Sequence, residues 1–559
     1  MQKTFQFKML SSEKFNSRIK HYNVRNKERW IGFFLGPAMV ACIYTICSQA
    51  YLNVFYTDVL KLSPVAGGAF LALMPIFSKI LDAITNIFMG NIVDKTRSRQ
   101  GKARPWILIS GPLLAVSAIL LFAVPDSSVT LTLVWVTASY NLFFCISYTM
   151  YNISNILLVP LSTRNSKQRD TLALASSMGI NLVPGMLVSI LFPMLVMPAI
   201  GIDQSKWVMV MSIIGLLCIP ATLIQYFFTR ERITEESVGV ESQAAGPSIF
   251  TQLKACFASQ YWIVIIGLVI IYQLQSNFYV TSMLYYSNWV LGTYNDGTTM
   301  MLINVIGQAP LGFGILIMWP LVKKFGKRNV TIVGSVIAII GCVICFLSPR
   351  NMPVVLGGLF IKSIGQLPMM YIVTAMLADA LDHVEWLNKF RCDGISSAVY
   401  SLILTVSAGI SIGVFNLLLG SLSYAAPVAD GSIVAQSHAV QNLFISGMFI
   451  VPAVAAFLIA FLISFFHVEK ELPQIKTDVL DRHRAEAAAR GEVYVSPEEK
   501  AQIEQERQDK IAEDKRIAEL KAECANKGLN FDDEEAKYQR KLVEKQVKTE
   551  RNKTRLGGS

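Results

Sequence analysis

Asp82-Ala83-Ile84-Thr85-Asn86, followed at once by Gly90-Asn91-Ile92-Val93-Asp94-Lys95-Thr96-Arg97-Ser98-Arg99-Gln100-Gly101-Lys102-Ala103-Arg104-Pro105-Trp106, is the stretch that decides the fold. A carboxylate stands inside a long apolar segment. A turn rich in Arg and Lys then leads straight into a second apolar segment. A charge at membrane depth is costly and marks an ion or substrate path. A short basic loop between two spans marks the cytoplasmic side. Together these features read as a membrane transporter.

Working outward, the whole chain follows the same logic. Of its 559 residues 53% are hydrophobic and 16% are charged, against roughly 25% charged in soluble proteins. The charges collect in residues 1–30 and 468–559, leaving 31–467 nearly all apolar. A span needs roughly 20 apolar residues. Twelve are expected, near 31–57, 66–93, 105–124, 129–161, 171–200, 206–228, 259–291, 298–322, 329–348, 353–379, 394–424 and 440–467. The runs do not alternate polar with apolar, so they are helices rather than barrel strands. Lys and Arg gather in the N-terminus and the even-numbered loops. The odd-numbered loops hold only Lys61, Lys206 and Arg350. Both termini and every even loop are therefore expected in the cytoplasm, in a multi-pass protein of the cell membrane. The first apolar run lacks a small-residue cleavage site and reads as a retained span. The net charge of +11 comes from the N-terminus and the loops. It reads as an anchoring charge, and no nucleic-acid partner is expected. No CxxC or Cys/His cluster suggests a metal, since Cys342 and Cys345 sit within an apolar span, so no metal site is expected beyond a transported ion.

The 8–9 loop, Lys323-Lys324-Phe325-Gly326-Lys327-Arg328, repeats the place of the basic 2–3 loop six spans later. A polar linker separates the halves. The expected organisation is a basic N-terminus at 1–30, a six-helix bundle at 31–228, a linker at 229–258, a second bundle at 259–467 and a charged helical tail at 468–559. Six plus six spans with a central linker is the layout of the major facilitator fold, in which the substrate site lies near the midplane between the halves.

Phe55-Tyr56-Thr57-Asp58, the Asp82–Trp106 stretch, Tyr148-Thr149, Tyr285-Tyr286 through Leu291-Gly292, and Ala378-Asp379-x-x-Asp382-x-x-Glu385-Trp386 with Arg391-Cys392-Asp393-Gly394 make the likeness specific. Over nearly all of 31–467 the chain resembles the glycoside–pentoside–hexuronide:cation symporters, the family of the melibiose permease. The resemblance implies a cation site on helices 2 and 4 at Asp82, Thr85, Asn86 and Thr149. Carboxylate, hydroxyl and carbonyl oxygens suit a small hard cation. Asp82 and Asn86, four residues apart, share a helix face. The compared relatives have a second Asp where this chain has Asn86. Proton coupling through Asp82, weak Na+ coupling and no coupling all stay open. Lys79, one turn before Asp82, joins the coupling set or forms a structural ion pair with it.

The same alignment puts Asn152, Ser177, Thr405 and Met370 where the melibiose permease has a carboxylate, an Arg, a Lys and a Trp at its sugar, and brings a helix-1 carboxylate position near Cys42. Asn152, Asn155, Tyr148, Tyr371, Gln366, Gln273 and Thr405 are the expected sugar contacts, with Tyr272 and Asn277 beside them. The alternative is that these polar groups hold helices together. Lys362 lies inside helix 10 and either binds an acidic sugar, pairs with a carboxylate or snorkels. Asp94, Arg97, Arg99, Lys102, Arg104, Asp379, Asp382 and Arg391 are expected to form a cytoplasmic gate that stabilises the outward-facing state, or else to act only as topology anchors. His383 reads as a solvated bystander. The tail alternates acidic and basic residues at helical spacing, with a break at Gly528–Asp533.

No Walker motif and no nucleophile–base constellation stands out, so neither ATP-driven transport nor an enzyme is expected. The expected function is symport of a glycoside, oligosaccharide, pentoside or hexuronide with Na+ or H+, with no other cofactor, by a monomer in the lipid bilayer. An uncoupled facilitator or a transporter of a non-sugar solute such as an amphipathic one, and a non-transporting membrane sensor signalling through the C-terminal tail, are the alternatives.

Overall fold

The computed structural model describes Phe5–Gln6 and residues 15–19, 24–232, 249–427 and 435–489, apart from isolated positions at 49, 64, 95, 99, 164–165, 295–296 and 391, with scattered positions after 489. Two compact units result, Met1–Pro473 and Gln474–Ser559. The linker residues 233–248 and most of the tail, including 528–529 and 533 of the Gly528–Asp533 break, lie outside the described residues.

The first unit is a helical bundle. Among the described residues, eleven helices are long and apolar enough to cross a membrane. They are α1 (Glu28–Val59), α2 (Ala69–Val93), α3 (Arg104–Phe122), α4 (Val129–Ser162), α5 (Thr171–Ile200), α6 (Gln204–Phe227), α7 (Gln260–Leu291), α9 (Lys327–Leu347), α10 (Met352–Asn388), α11 (Ile395–Ser421) and α12 (His438–Ile463). The expected eighth span is present but broken. Thr298–Gly307 is followed by Ala309–Phe325, and the two are labelled together α8. At Gln308 the backbone leaves helical geometry (φ −107°, ψ 3°). Pro310 follows in the first turn, where its missing N–H is tolerated and helps the helix restart. The only strand pairing among the described residues is two residues long, Phe5–Gln6 with Thr96–Arg97.

On α2 the apolar Phe77, Ile84, Ile87 and Phe88 are exposed. They form a face suited to lipid, while the Asp82 face is turned inward. The helices α1–α6 pack among themselves, as do α7–α12, and α2 and α11 make the main seam between the sets. Glycines let that seam close. A Cβ on Gly413 would lie 2.3 Å from the Ala72 carbonyl oxygen, and one on Gly409 would lie 2.8 Å from that of Pro75. Gly68 and Gly420 meet nearer the α2 N-terminus. These contacts occupy the half of the bundle away from the termini, here called the far end.

The basic turn before α3 is fixed by a residue from after α6. The Glu231 carboxylate accepts from the backbone N–H groups of Lys102, Ala103 and Arg104 at 2.8–2.9 Å, supplying the negative charge a helix N-terminus favours. Gly101 sits at φ +110°, and a Cβ there would lie 2.4 Å from the Glu231 carboxyl carbon. This explains the glycine in the turn. In the second unit the helix Val468–Ala489, which begins before the boundary, continues the charged sequence.

Candidate functional site

Asp82 is buried on α2 at the depth of the seam. Its Oδ1 receives the Thr149 hydroxyl at 2.8 Å and the Asn86 amide at 3.1 Å. Its Oδ2 faces the Lys79 ammonium at 3.4 Å. The local fold explains the convergence. Residues 79, 82 and 86 share one face of α2 by helical spacing. Thr149 follows a wide π-helical stretch, Leu142–Tyr148, in α4. Such stretches re-aim side chains and leave carbonyls free. The Thr149 oxygen lies 3.0 Å from the Phe144 carbonyl as well as beside Asp82, so its single proton serves one acceptor at a time. Thr85 is set apart from this cluster: its hydroxyl donates to the Asp82 carbonyl within the helix. The Lys79 ammonium also lies 4.5 Å from the Phe144 ring centroid. Tyr44 stacks on Tyr148 beside it, with centroids 3.8 Å apart.

The expected sugar contacts fall in different places. Gln273 lines a cavity of about 160 Å³ together with Tyr272, Tyr400, Met369 and Met370, between α7, α10 and α11. Tyr400 was not anticipated. It lies on α11 seven residues after Asp393, out of register with any motif in the sequence. Asn155 is buried, and its amide oxygen accepts from Gln225 of α6 at 2.6 Å. Gln225 in turn accepts from Tyr151. That network ties α4 to α6. Tyr371 turns its hydroxyl to the Leu311 carbonyl of α8. The Thr405 hydroxyl donates to Ser401 within its own helix. Asn152 and Gln366 are half-buried on α4 and α10, away from the cavity lining.

Two expectations about charge are corrected. Lys362 neither snorkels nor meets a carboxylate among the described residues. It is 2% exposed, with its ammonium 3.1 Å from the Tyr279 ring centroid, an electrostatic contact with the ring face. His383 is buried, not solvated, and its ring nitrogen meets the Ser259 hydroxyl at 2.9 Å.

The expected gate residues bind largely within their own sets. Arg104 is buried and donates to the Tyr226 and Gln100 carbonyls. Lys102 gives its backbone N–H to Glu231. Asp379 of α10 pairs with Lys327 of α9. Asp382 lies on α10. Asp94 and Arg97 lie on the backbone at the end of α2 and in the short strand, and their side chains fall outside the described residues. Arg99 and Arg391 lie outside them altogether.

At the far end, the structure reveals a polar network across the seam that sequence reasoning missed. Asp58, at the end of α1, is 1% exposed. Its carboxylate accepts from Thr57 at 2.8 Å, from Tyr424 at 2.9 Å and from Tyr294 at 2.9 Å. The Thr57 hydroxyl also meets Tyr285, 2.9 Å away on α7. Asn53 and Asn416 exchange amide hydrogen bonds at 2.8–2.9 Å. Burial, reinforced by the Asp58 charge, raises the Tyr294 and Tyr424 phenols well above their ordinary value. Both remain donors. The one available signal was an Asp closing an apolar run. Its phenol partners lie 236 and 366 residues away in sequence.

Comparison with known proteins agrees with this architecture. Residues 32–470 match the family described as MFS/sugar transport protein. An isoprimeverose transporter of Lactiplantibacillus pentosus is 29% identical, covering 79% of this chain and 88% of that protein. A glucuronide carrier protein homolog of Escherichia coli is 26% identical, over 82% and 96%. Among solved structures, a bacterial homolog of the human lysosomal transporter Spinster superposes with a TM-score of 0.54 at 15% identity, over 82% of this chain and 99% of that one. A D-xylose–proton symporter does so with 0.51 at 14%, over 76% and 95%. With a match spanning nearly the whole bundle, the chain belongs to the MFS/sugar transport family, the glycoside–pentoside–hexuronide branch of the major facilitator superfamily.

Proposed function

We propose that this protein is a secondary active symporter that carries a glycoside, oligosaccharide, pentoside or hexuronide into the cell with Na+ or H+, by alternating access. The Asp82 cluster carries the reading. A buried carboxylate, a hydroxyl and an amide meet at the inner limit of the seam between the two helix sets. A change of charge there alters what the seam must bury, and so links ion binding to its opening.

The cavity between α7, α10 and α11 is the proposed sugar site. Its lining offers the aromatic rings of Tyr272 and Tyr400, the Gln273 amide and apolar surface, with no charged side chain. An amide both donates and accepts, and ring faces suit the apolar side of a pyranose. These features favour a neutral sugar ring over the carboxylate of a hexuronide. An isoprimeverose transporter among the relatives fits that choice.

Positive loops support cytoplasmic termini in a plasma-membrane carrier. On that reading the far end is the outer side, held closed by the glycine seam. One chain supplies both helix sets, so a monomer suffices.

Uptake of labelled neutral glycosides and hexuronides into proteoliposomes tests the reading, with an imposed Na+ gradient, a pH gradient or neither. Accumulation driven by one gradient and abolished in Asp82→Asn is the expected result. Equilibration that Asp82→Asn leaves unchanged overturns coupling in favour of a facilitator. No flux with any sugar, together with loss of a signalling output on deleting 470–559, would instead support a non-transporting sensor.

A further inference from the structure

We infer that Lys79 is a tethered cation: its ammonium holds the place beside Asp82 that a sodium ion would take, so Na+ neither binds this carrier nor drives it. The inference rests on reading Asp82 as the coupling residue and names the ion that residue refuses. The charge count is the first support. Among the described residues Asp82 is the only carboxylate facing Lys79, and the pair together is formally neutral. The other titratable neighbours are Tyr44 on α1 and Tyr140 and Cys145 on α4. A sodium ion coordinated here would share one carboxylate with an ammonium already in contact with it, two cations side by side at membrane depth, a costly arrangement that a proton on the carboxylate itself does not require.

Geometry is the second support. The ammonium lies 3.4 Å from Asp82 Oδ2, and Oδ1 already holds Thr149 and Asn86. The lysine stem cannot swing away freely. A Cβ on Gly409 of α11 would lie 2.9 Å from Lys79 Cγ, so the opposite helix set packs directly on the stem. On another side the ammonium faces the Phe144 ring, which favours a cation. A neutral side chain at position 79 would leave one negative charge ringed by the Thr149 hydroxyl and the Asn86 amide. Those oxygens suit a hard monovalent cation.

The test compares melting of the purified full-length protein in NaCl and in choline chloride. It uses wild type, Lys79→Arg, Lys79→Met, Lys79→Gln and the double variant Lys79→Met with Asp82→Asn. Wild type and Lys79→Arg are expected to show no Na+-specific shift. Lys79→Met and Lys79→Gln are expected to gain a saturable upward shift, as a ligand that binds only the folded state produces. The double variant should lose it. A Na+-specific shift in wild type overturns the inference and does not depend on whether either neutral variant folds. So does its absence in both neutral variants when they fold and melt cooperatively. Sugar accumulation in the same preparations separates the two readings. If no gradient drives accumulation in wild type, the symport proposal fails while the melting result still decides the role of Lys79.

Discussion

Asp82 has one oxygen given to hydrogen bonds and one given to charge, and the two can be removed separately. Thr149→Val deletes the strongest hydrogen bond, 2.8 Å to Oδ1, and keeps Lys79. A hydrogen bond to a charged group contributes about 1.5–3 kcal/mol. Coupled uptake is expected to fall roughly ten- to hundredfold, with binding of the sugar alone unchanged. An equal loss of sugar binding would mean that Thr149 only holds α2 against α4. The Asp82 cluster was legible because its members lie on one helix face at a spacing of three or four residues, and the resemblance supplied Thr149. Asn155 shows what such spacing does not decide. An amide on an inward face looks the same in sequence whether it meets a sugar or, as here, Gln225 of α6.

Among the elements, α3 shows how a distant residue fixes a motif. Glu231 caps it through three backbone N–H groups. Glu231→Ala leaves these donors buried without their carboxylate and is expected to lower stability by about 3 kcal/mol, read from melting in detergent. Gly101→Ala should do the same, since its Cβ would meet that carboxylate and its φ of +110° disfavours a side chain. The turn itself was readable as basic and cytoplasmic, but its shape was not, because Glu231 lies 127 residues beyond Arg104. The break in α8 follows the same rule. Its hydropathy gives one span, and only the backbone shows that Gln308 divides it. Between elements, the α2–α11 seam depends on the absence of a side chain. Gly413→Ala would place a methyl group 2.3 Å from the Ala72 carbonyl oxygen. The seam must part there, so uptake is expected to drop sharply with expression preserved. Unchanged uptake would show that the seam does not set transport.

In the whole molecule, the two helix sets meet at the far end and the cavity lies on the other side of that meeting. Gly409 and Tyr400, nine residues apart on α11, mark the two levels, about 13 Å apart along the helix. Hydropathy gave the twelve-span layout in outline, since it follows from span count, but not the glycine seam between α2 and α11. It could not give the state, because the groups that hold the far end closed come from α1, α7 and the loops after α7 and α11. Asp58 is their hub, with three hydroxyl donors and no ion pair among the described residues. Because the Tyr294 and Tyr424 phenols sit well above their ordinary value of 10.0, they stay protonated through pH 10. Their hydrogen bonds are lost only above it, so closure of the far end should not weaken between pH 7 and pH 10. Asp58→Asn replaces a charged acceptor by a neutral amide, and Tyr294→Phe removes a single donor. Each is expected to shift the population toward the outward-open state, by about tenfold for a loss near 1.4 kcal/mol. Met370→Cys reads the shift. Met370 is 48% exposed at the cavity, so in a background without the native cysteines its thiol should react with a membrane-impermeant reagent from the cytoplasmic side. Adding Asp58→Asn should lower that rate and slow net uptake. An unchanged rate would mean that the glycine seam alone keeps the outer side shut and that Asp58 only orders the loops around it.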